Sequence, residues 1–364
     1  MIYTRRSLQK VFKIFFQILF KTIYGKVKYN SENLENNNIL IDKVKNHKIK
    51  TIDDKSYCVY TILNGRVYND TVENVAIINQ NEILDKISYQ QHAGKLVTAD
   101  KSIILTKGTP RLKKKIKSNL LILSQGASGN DNYFHWLFDI LPKIKICSEI
   151  YDLDKIDYFY FSKLHEWQKK ILEIFGLKNI KILDSNIYRH VEARKIIAVQ
   201  HPWYEKGYIN PEAANIPNWI INWLKETFLS KAESFISSDK IFIDRRDDTR
   251  FNHCQIINDE EVFKYLKPKG FSKYKIGQLS FKNQIHLFNN AKIIIGPHGA
   301  AFSNLIFCKP ETKIVEFKPF GHPTVVNKRI SEINNLNYQS IESTNFKNKK
   351  GDILVDLNIL KKII

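Results

Sequence analysis

From about residue 130 the chain alternates between two hydrophobic periods. Segments with helical spacing ("YFHWLFDILPKIKICSEI", "EWQKKILEIF", "NWIINWLKETFL", "NDEEVFKYL", "SFKNQIHLFNNA", "TVVNKRISEI") are separated by short β-branched or aromatic runs ("DYFYF", "IKIL", "KIIAV", "KIFID", "FSKYKI", "KIIIG", "TKIVEF"). Helices alternating with short apolar strands predict parallel βαβ units. Earlier, "YCVYTIL" and "NVAII" predict strands from about residue 57, and the polar, Asn-rich residues 31–56 predict a loosely structured lead-in. Residues 200–217, "QHPWYEKGYINPEAANIP", hold three prolines and predict a hinge near 201–217. The expected division is therefore a membrane-associating segment 1–30, an N-terminal domain 31–215, a C-terminal domain 216–345, and a tail or crossover helix 346–364 that packs back across a cleft.

The first thirty residues have a different pattern. Between Lys10 and Lys21 almost every residue is apolar, interrupted by Lys13 and Gln17. On a helix Lys13, Gln17 and Lys21 stand at i, i+4 and i+8 and form one polar stripe. The run is too short to span a bilayer, and no small-residue cleavage site follows. It predicts a basic helix, residues 5–24, lying in an interface with Phe and Leu buried; the alternative is a helix packed on the protein's own body.

Composition changes this picture in two respects. The chain has 364 residues, 43% of them hydrophobic, which suits two domains with real cores. Its four cysteines are far apart, without a CxxC pair, so neither a disulfide framework nor a zinc site is expected. The net charge is +20, which fits an anionic partner such as lipid head groups or a phosphorylated substrate. Abundant Lys, Asn and Ile also fit an AT-rich coding sequence. A basic α/β nucleic-acid-binding protein is the alternative from another class. It would interleave surface aromatics with its basic residues; the clustering of His, Arg and Gly at strand ends favours an enzyme.

Three constellations carry chemistry. "IIIGPHGAAFSNLIF" runs from a predicted strand through Gly296-Pro297-His298-Gly299 into a predicted helix, 301–307. Ligands of parallel sheets sit beyond the carboxyl ends of strands, and backbone N–H groups at a helix start favour phosphate. "IFIDRRDDTRFNH" places Arg245, Arg246 and Arg250 after another strand, where their forks can grip phosphate oxygens, or pair with Asp247 and Asp248. In "NYFHWLFDILPK", His135 and Asp139 share one helix face as a general base and its partner, or as a bond that steadies the helix. Asp152-Leu153-Asp154 reads as a turn rather than a metal site.

Together these stretches resemble glycosyltransferase family 61, in a bacterial-type form. The resemblance runs through His135-Trp136 to Asp139 and Leu141-Pro142, an arginine followed by "INDEEV" (257–262), Ser280 to Ala291, and Gly296 to Phe307 with Pro310 and Glu316. It covers roughly residues 125–320. Ala301, Phe302 and Ser303 depart from the usual Gly, Leu and Thr, and Lys143 stands in place of an arginine, which would alter an acceptor contact. The resemblance implies an α/β, GT-B-like fold of two Rossmann-like domains with a cleft between them. It implies an inverting transfer of a sugar from a nucleotide sugar to a glycan or lipid-linked glycan acceptor, as in cell-surface polysaccharide synthesis. No metal or other cofactor is expected, nor a nucleic-acid partner. On this reading Asp139 is the base, its pKa raised by burial, with His135 orienting it or acting in its place. Arg245, Arg246, Arg250, His298, Gly299, Ala300 and Asn304 hold the donor, with Glu316 on the ribose. The same reading puts the chain in the cytoplasm, on the inner face of an anionic membrane. A catalytically inactive carbohydrate-binding homologue would need to have lost the base, and both His135 and Asp139 are present.

Overall fold

The computed structural model describes residues 2–364 apart from 30–37, 45–55, 72–73, 93–94, 127–130, 205–206, 247–252, 344–347 and 349. Most of the polar lead-in 31–56 lies outside the described residues; within it, Ile39–Val44 is a strand that pairs antiparallel with Tyr57–Leu63. The chain forms two compact units. Unit 1 comprises Met1–His165 and Lys178–Glu212, and unit 2 comprises Glu166–Leu177 and Ala213–Ile364. The helix Glu166–Phe175 thus belongs to unit 2 although both its flanks belong to unit 1. Its last residue explains why: the Phe175 ring meets Trp223 edge-on at 5.8 Å.

Unit 1 is built on a mixed sheet. Four of its strands, β1 (Lys114–Ile122), β2 (Tyr158–Phe161), β3 (Ile182–Asp184) and β4 (His190–Val199), are mutually parallel in the order β3-β2-β1-β4. Beyond β4 the sheet continues antiparallel, through Tyr57–Leu63 and Arg66–Thr71. The expected Rossmann-like domain is therefore only half realised here. Short turns such as Asn64–Gly65 and Gln80–Asn81 join successive strands of the N-terminal part directly, and a direct turn can only reverse the chain. The parallel strands carry runs without alternation, such as Leu120, Leu121 and Ile122, buried on both faces.

Unit 2 contains a fully parallel five-stranded sheet: β5 (Lys240–Ile243), β6 (Ser272–Tyr274), β7 (Ile293–Pro297), β8 (Lys313–Lys318) and β9 (Asn337–Glu342), in the order β6-β5-β7-β8-β9. Numbered within the unit this is 2-1-3-4-5, a doubly wound order whose direction reverses between β5 and β7. Within the segment 346–364, expected to cross a cleft, residues 350–364 fold onto unit 2 itself. Ile353 bridges to Ile256, and Val355 and Leu360 join the core around Phe242 and Phe271.

The two glycines of Gly296-Pro297-His298-Gly299 serve different neighbours. A Cβ on Gly296 would lie 2.6 Å from Cβ of Ile243, so β7 and β5 approach as closely as they do only because that atom is missing. Gly296→Ala should lower stability by about 1–3 kcal/mol through overpacking, read as a lower melting temperature; an unchanged melting temperature would show that the strands can separate without cost.

Candidate active site

In both units the reactive side chains gather where the order of parallel strands reverses, the place at which open α/β sheets hold ligands. In unit 1 that point lies between β1 and β4. After β1 the chain runs through an α-turn Tyr133–His135, a π-helical turn Trp136–Ile140 and an α-helix Leu141–Ser148. Asn132 opens it as expected, its side chain accepting from the Phe134 N–H at 2.9 Å. Pro142 brings no N–H, so the Phe138 carbonyl lacks its α-helical donor four residues on. The indole N–H of Trp203 reaches that carbonyl at 3.2 Å and Asp139 Oδ1 at 2.8 Å. The proline of the motif thus opens a place for the indole.

Asp139 is completely buried, and His135 is buried as well but keeps 11% of its side chain accessible. His135 Nδ1 stands 2.8 Å from Asp139 Oδ2. His201, the second residue after β4, brings Nε2 to 3.6 Å from the same oxygen. Its Nδ1 accepts the backbone N–H of Tyr204 at 3.0 Å, so in the neutral ring the proton sits on Nε2 and faces Asp139. Burial pushes the His201 pKa down to about 4 despite the nearby carboxylate, which keeps it neutral at pH 7. Burial alone would raise the Asp139 pKa, but the His135 and His201 rings outweigh it and hold the carboxyl below its ordinary range. Asp139 is therefore a fixed anion rather than the base with a raised pKa that the sequence led us to expect. Both members of the pair are buried; Asp139 is sealed completely, while about a tenth of the His135 side chain, 11%, stays accessible. Lys143, expected to touch an acceptor, is fully buried behind this group and donates to the Gln125 carbonyl at 3.1 Å. Burial lowers its pKa to about 8, against the pull of Asp139.

In unit 2 the reversal lies between β5 and β7. Arg245 follows β5 and His298 follows β7, and the guanidinium donates to the His298 carbonyl. A side chain on Gly299 would meet that guanidinium, which would have to shift to make room. His298 Nδ1 meets Glu316 Oε1 at 2.6 Å. Glu316 is buried and also accepts from Asn327 Nδ2 at 2.7 Å and the Tyr338 hydroxyl at 2.5 Å. Burial would raise its pKa, but these donors, His298 first, hold it low. Glu316 thus stands behind His298 rather than open to a ribose. His322 lies against His298, ring centroids 4.5 Å apart, and His253 Nδ1 is 3.0 Å from Arg245 Nη2.

The other expected donor contacts fare differently. Arg246 grips Asp244 with Nε and Nη2, both at 3.1 Å, and Glu260 with Nη1 at 2.7 Å. Its fork is committed to carboxylates, Asp244 just after β5 and Glu260 at the acidic start of helix Asp259–Leu266. Arg250 lies outside the described residues. Ala300 opens a 3-10 helix, Ala300–Phe307, where a short helix 301–307 was expected. Asn304 is buried in that turn and donates to Gln284 Oε1 at 3.0 Å and the Ala301 carbonyl at 3.1 Å, so it braces the loop. Asp152 caps its own turn through the Asp154 N–H. Among the described residues no group of three or more His, Cys, Asp or Glu is placed to hold a metal ion.

His201 and His190 both have native pKa values pushed down to about 4, chiefly by burial. A histidine whose pKa is lower folded than unfolded contributes stability that is fully present above about pH 6.5 and is lost as pH falls toward about 4. For a shift of this size the loss is about 3 kcal/mol per group. Chemical denaturation across that window should show stability declining with pH, with a shallower slope in His201→Gln; a flat profile in the parent chain would contradict the neutral, buried state of His201.

A model of the glycosyltransferase 61 family matches residues 133–315. No curated protein matches the chain. Among solved structures, the dodecameric iron-containing heptosyltransferase TibC in complex with ADP-D-beta-D-heptose is similar at 13% identity, over 90% of this chain and 85% of that one, with a TM-score of 0.32. The dodecameric glycosyltransferase TibC from enterotoxigenic E. coli H10407 matches with the same identity and coverage and a TM-score of 0.30. At such scores neither likeness carries an argument. The family match takes in half of the chain, including the His135–Asp139 pair, Arg245 and the Gly296–Gly299 loop; the chain belongs to glycosyltransferase family 61.

Proposed function

We propose that this glycosyltransferase is an inverting, GT-B-like enzyme that transfers a sugar from a nucleotide-sugar donor to a hydroxyl of a glycan acceptor, with His135 as the base. Unit 2 holds the donor. Arg245 and His298 flank the strand reversal, where a diphosphate would meet a guanidinium, an imidazole and the bare backbone of Gly299. Unit 1 supplies the base. The acceptor hydroxyl gives its proton to His135 Nε2 as its oxygen attacks the anomeric carbon. The bond from that carbon to the diphosphate breaks, and the electron pair leaves on a phosphate oxygen stabilised by Arg245 and His298. Asp139 keeps the imidazole in the tautomer with its proton on Nδ1 and steadies the imidazolium that forms, the part a buried aspartate plays beside a catalytic histidine.

The observation that carries this reading is the arrangement of the dyad: the carboxylate is sealed and held by indole and imidazole donors, while the imidazole is the member with side-chain surface left, 11% of it. An acceptor on a lipid carrier, as in surface polysaccharide synthesis, would suit the exposed apolar residues of the N-terminal helix.

Calorimetry with a panel of uridine, cytidine, adenosine and guanosine diphosphates should find one that binds, and Arg245→Ala should weaken it by about 10- to 100-fold. With the matching donor, His135→Ala should cut turnover by about 10²-fold or more at nearly unchanged donor affinity. Asp139→Asn should do the same by presenting the wrong tautomer. Added imidazole should restore part of the turnover of His135→Gly but none to Asp139→Asn. Near-normal turnover in His135→Ala would move the base elsewhere, and binding of oligonucleotides but no nucleoside diphosphate would overturn the assignment.

A further inference from the structure

The N-terminal helix α1 (Ile2–Tyr24) is attached to unit 1 by the wrong face for a soluble amphipathic helix. Its last turns hold it. Phe20 is buried, the Lys21 ammonium donates to the Thr106 carbonyl, and the Tyr24 hydroxyl accepts the Lys113 N–H at 3.2 Å. Lys21 continues the polar stripe of Lys13 and Gln17, so the stripe lies on the side by which the helix is attached. The apolar arc points the other way. Val11, Phe12, Phe15, Ile18, Leu19 and Ile23 are 37–65% exposed. A helix normally turns such an arc inward. Among the described residues no helix is long and apolar enough to cross a membrane.

Charge identifies what covers this arc. Seven basic residues and no acidic one precede Glu32. The loop that grips the foot of the helix continues into "RLKKKIK" (111–117), again without an acid. Within it Leu112 is 82% exposed, Arg111, Lys114 and Lys117 are exposed, and Lys113 and Lys115 share Glu192. A second copy meeting this face about a two-fold axis would set these cations against their own images, with no acid in either segment to pair them. An anionic bilayer supplies both apolar depth and negative charge.

We infer that α1 and the 111–117 segment form one membrane-docking surface, in which the Val11–Ile23 arc lies in the interface of an anionic bilayer and the basic residues at its foot, on the loop before β1 and the start of β1, contact the head groups. Such anchoring is reversible and depends on both apolar burial and lipid charge. The inference is independent of the transfer chemistry.

The full chain should co-sediment with vesicles of phosphatidylcholine and phosphatidylglycerol in equal parts and much less with phosphatidylcholine alone. Phe12→Asp with Phe15→Asp should reduce that binding by about tenfold or more. Lys114→Glu with Lys117→Glu should reduce it by at least about fivefold and leave it less sensitive to salt. Neither change touches the site, so nucleotide binding should be unaltered and serves as the check on folding. Equal binding to both vesicle types would remove the electrostatic half of the inference. Absence of binding would overturn it, as would self-association in sedimentation velocity that the Phe12/Phe15 double variant abolishes while vesicles have no effect; that last result would give the face to a second copy.

Discussion

A carboxylate can be kept out of water only if donors replace the water it loses. Both units obey this constraint in the same way. In unit 1 Asp139 has the Trp203 indole on one oxygen and His135 on the other. In unit 2 Glu316 has His298 and Asn327 on one oxygen and the Tyr338 hydroxyl on the other. In each case one donor is a histidine bonded through Nδ1 and standing at the reversal of strand order. The acid fixes the tautomer and the aim of the ring. The surrounding features follow from satisfying the acid: a proline that frees a carbonyl beside Asp139, and a tyrosine on the edge strand β9.

How much of this was legible depends on whether a signal is local. The alternation of periods fixed the helices and strands of unit 2 because each is short, strongly apolar and separated by turns. The His135–Asp139 pairing was legible because i and i+4 is a property of one helix. Its polarity was not. Which member is sealed depends on Trp203 and His201, more than sixty residues away in a stretch whose three prolines read as a hinge. His201 had one available signal, that it follows a buried strand by two residues, the same position that drew attention to Arg245 and His298. Adjacent arginines in one motif were likewise indistinguishable by spacing. Arg246 is taken by Asp244 and Glu260, while Arg245 is turned toward His298 because glycine at 299 leaves room for it.

The mixed sheet of unit 1 illustrates the same limit. Its N-terminal strands were legible as strands, but their direction is set by connection length. Turns as short as Asn64–Gly65 force antiparallel neighbours, whereas the helix-bearing links after β1 and β2 force parallel ones. The parallel part keeps a reversal point, so the site survives on a sheet that departs from the expected domain.

Lys143 shows what the buried group as a whole must do. With Asp139 ionised and His201 neutral, a charged Lys143 makes the interior of the network electrically balanced. An arginine at 143 would hold its charge at any working pH. A lysine with its pKa brought down to about 8 can release a proton without leaving the protein interior. Loss of that proton would leave the buried Asp139 charge unbalanced. The charge on Lys143 and the charge on Asp139 thus depend on each other inside the buried group, in the direction Coulomb's law requires.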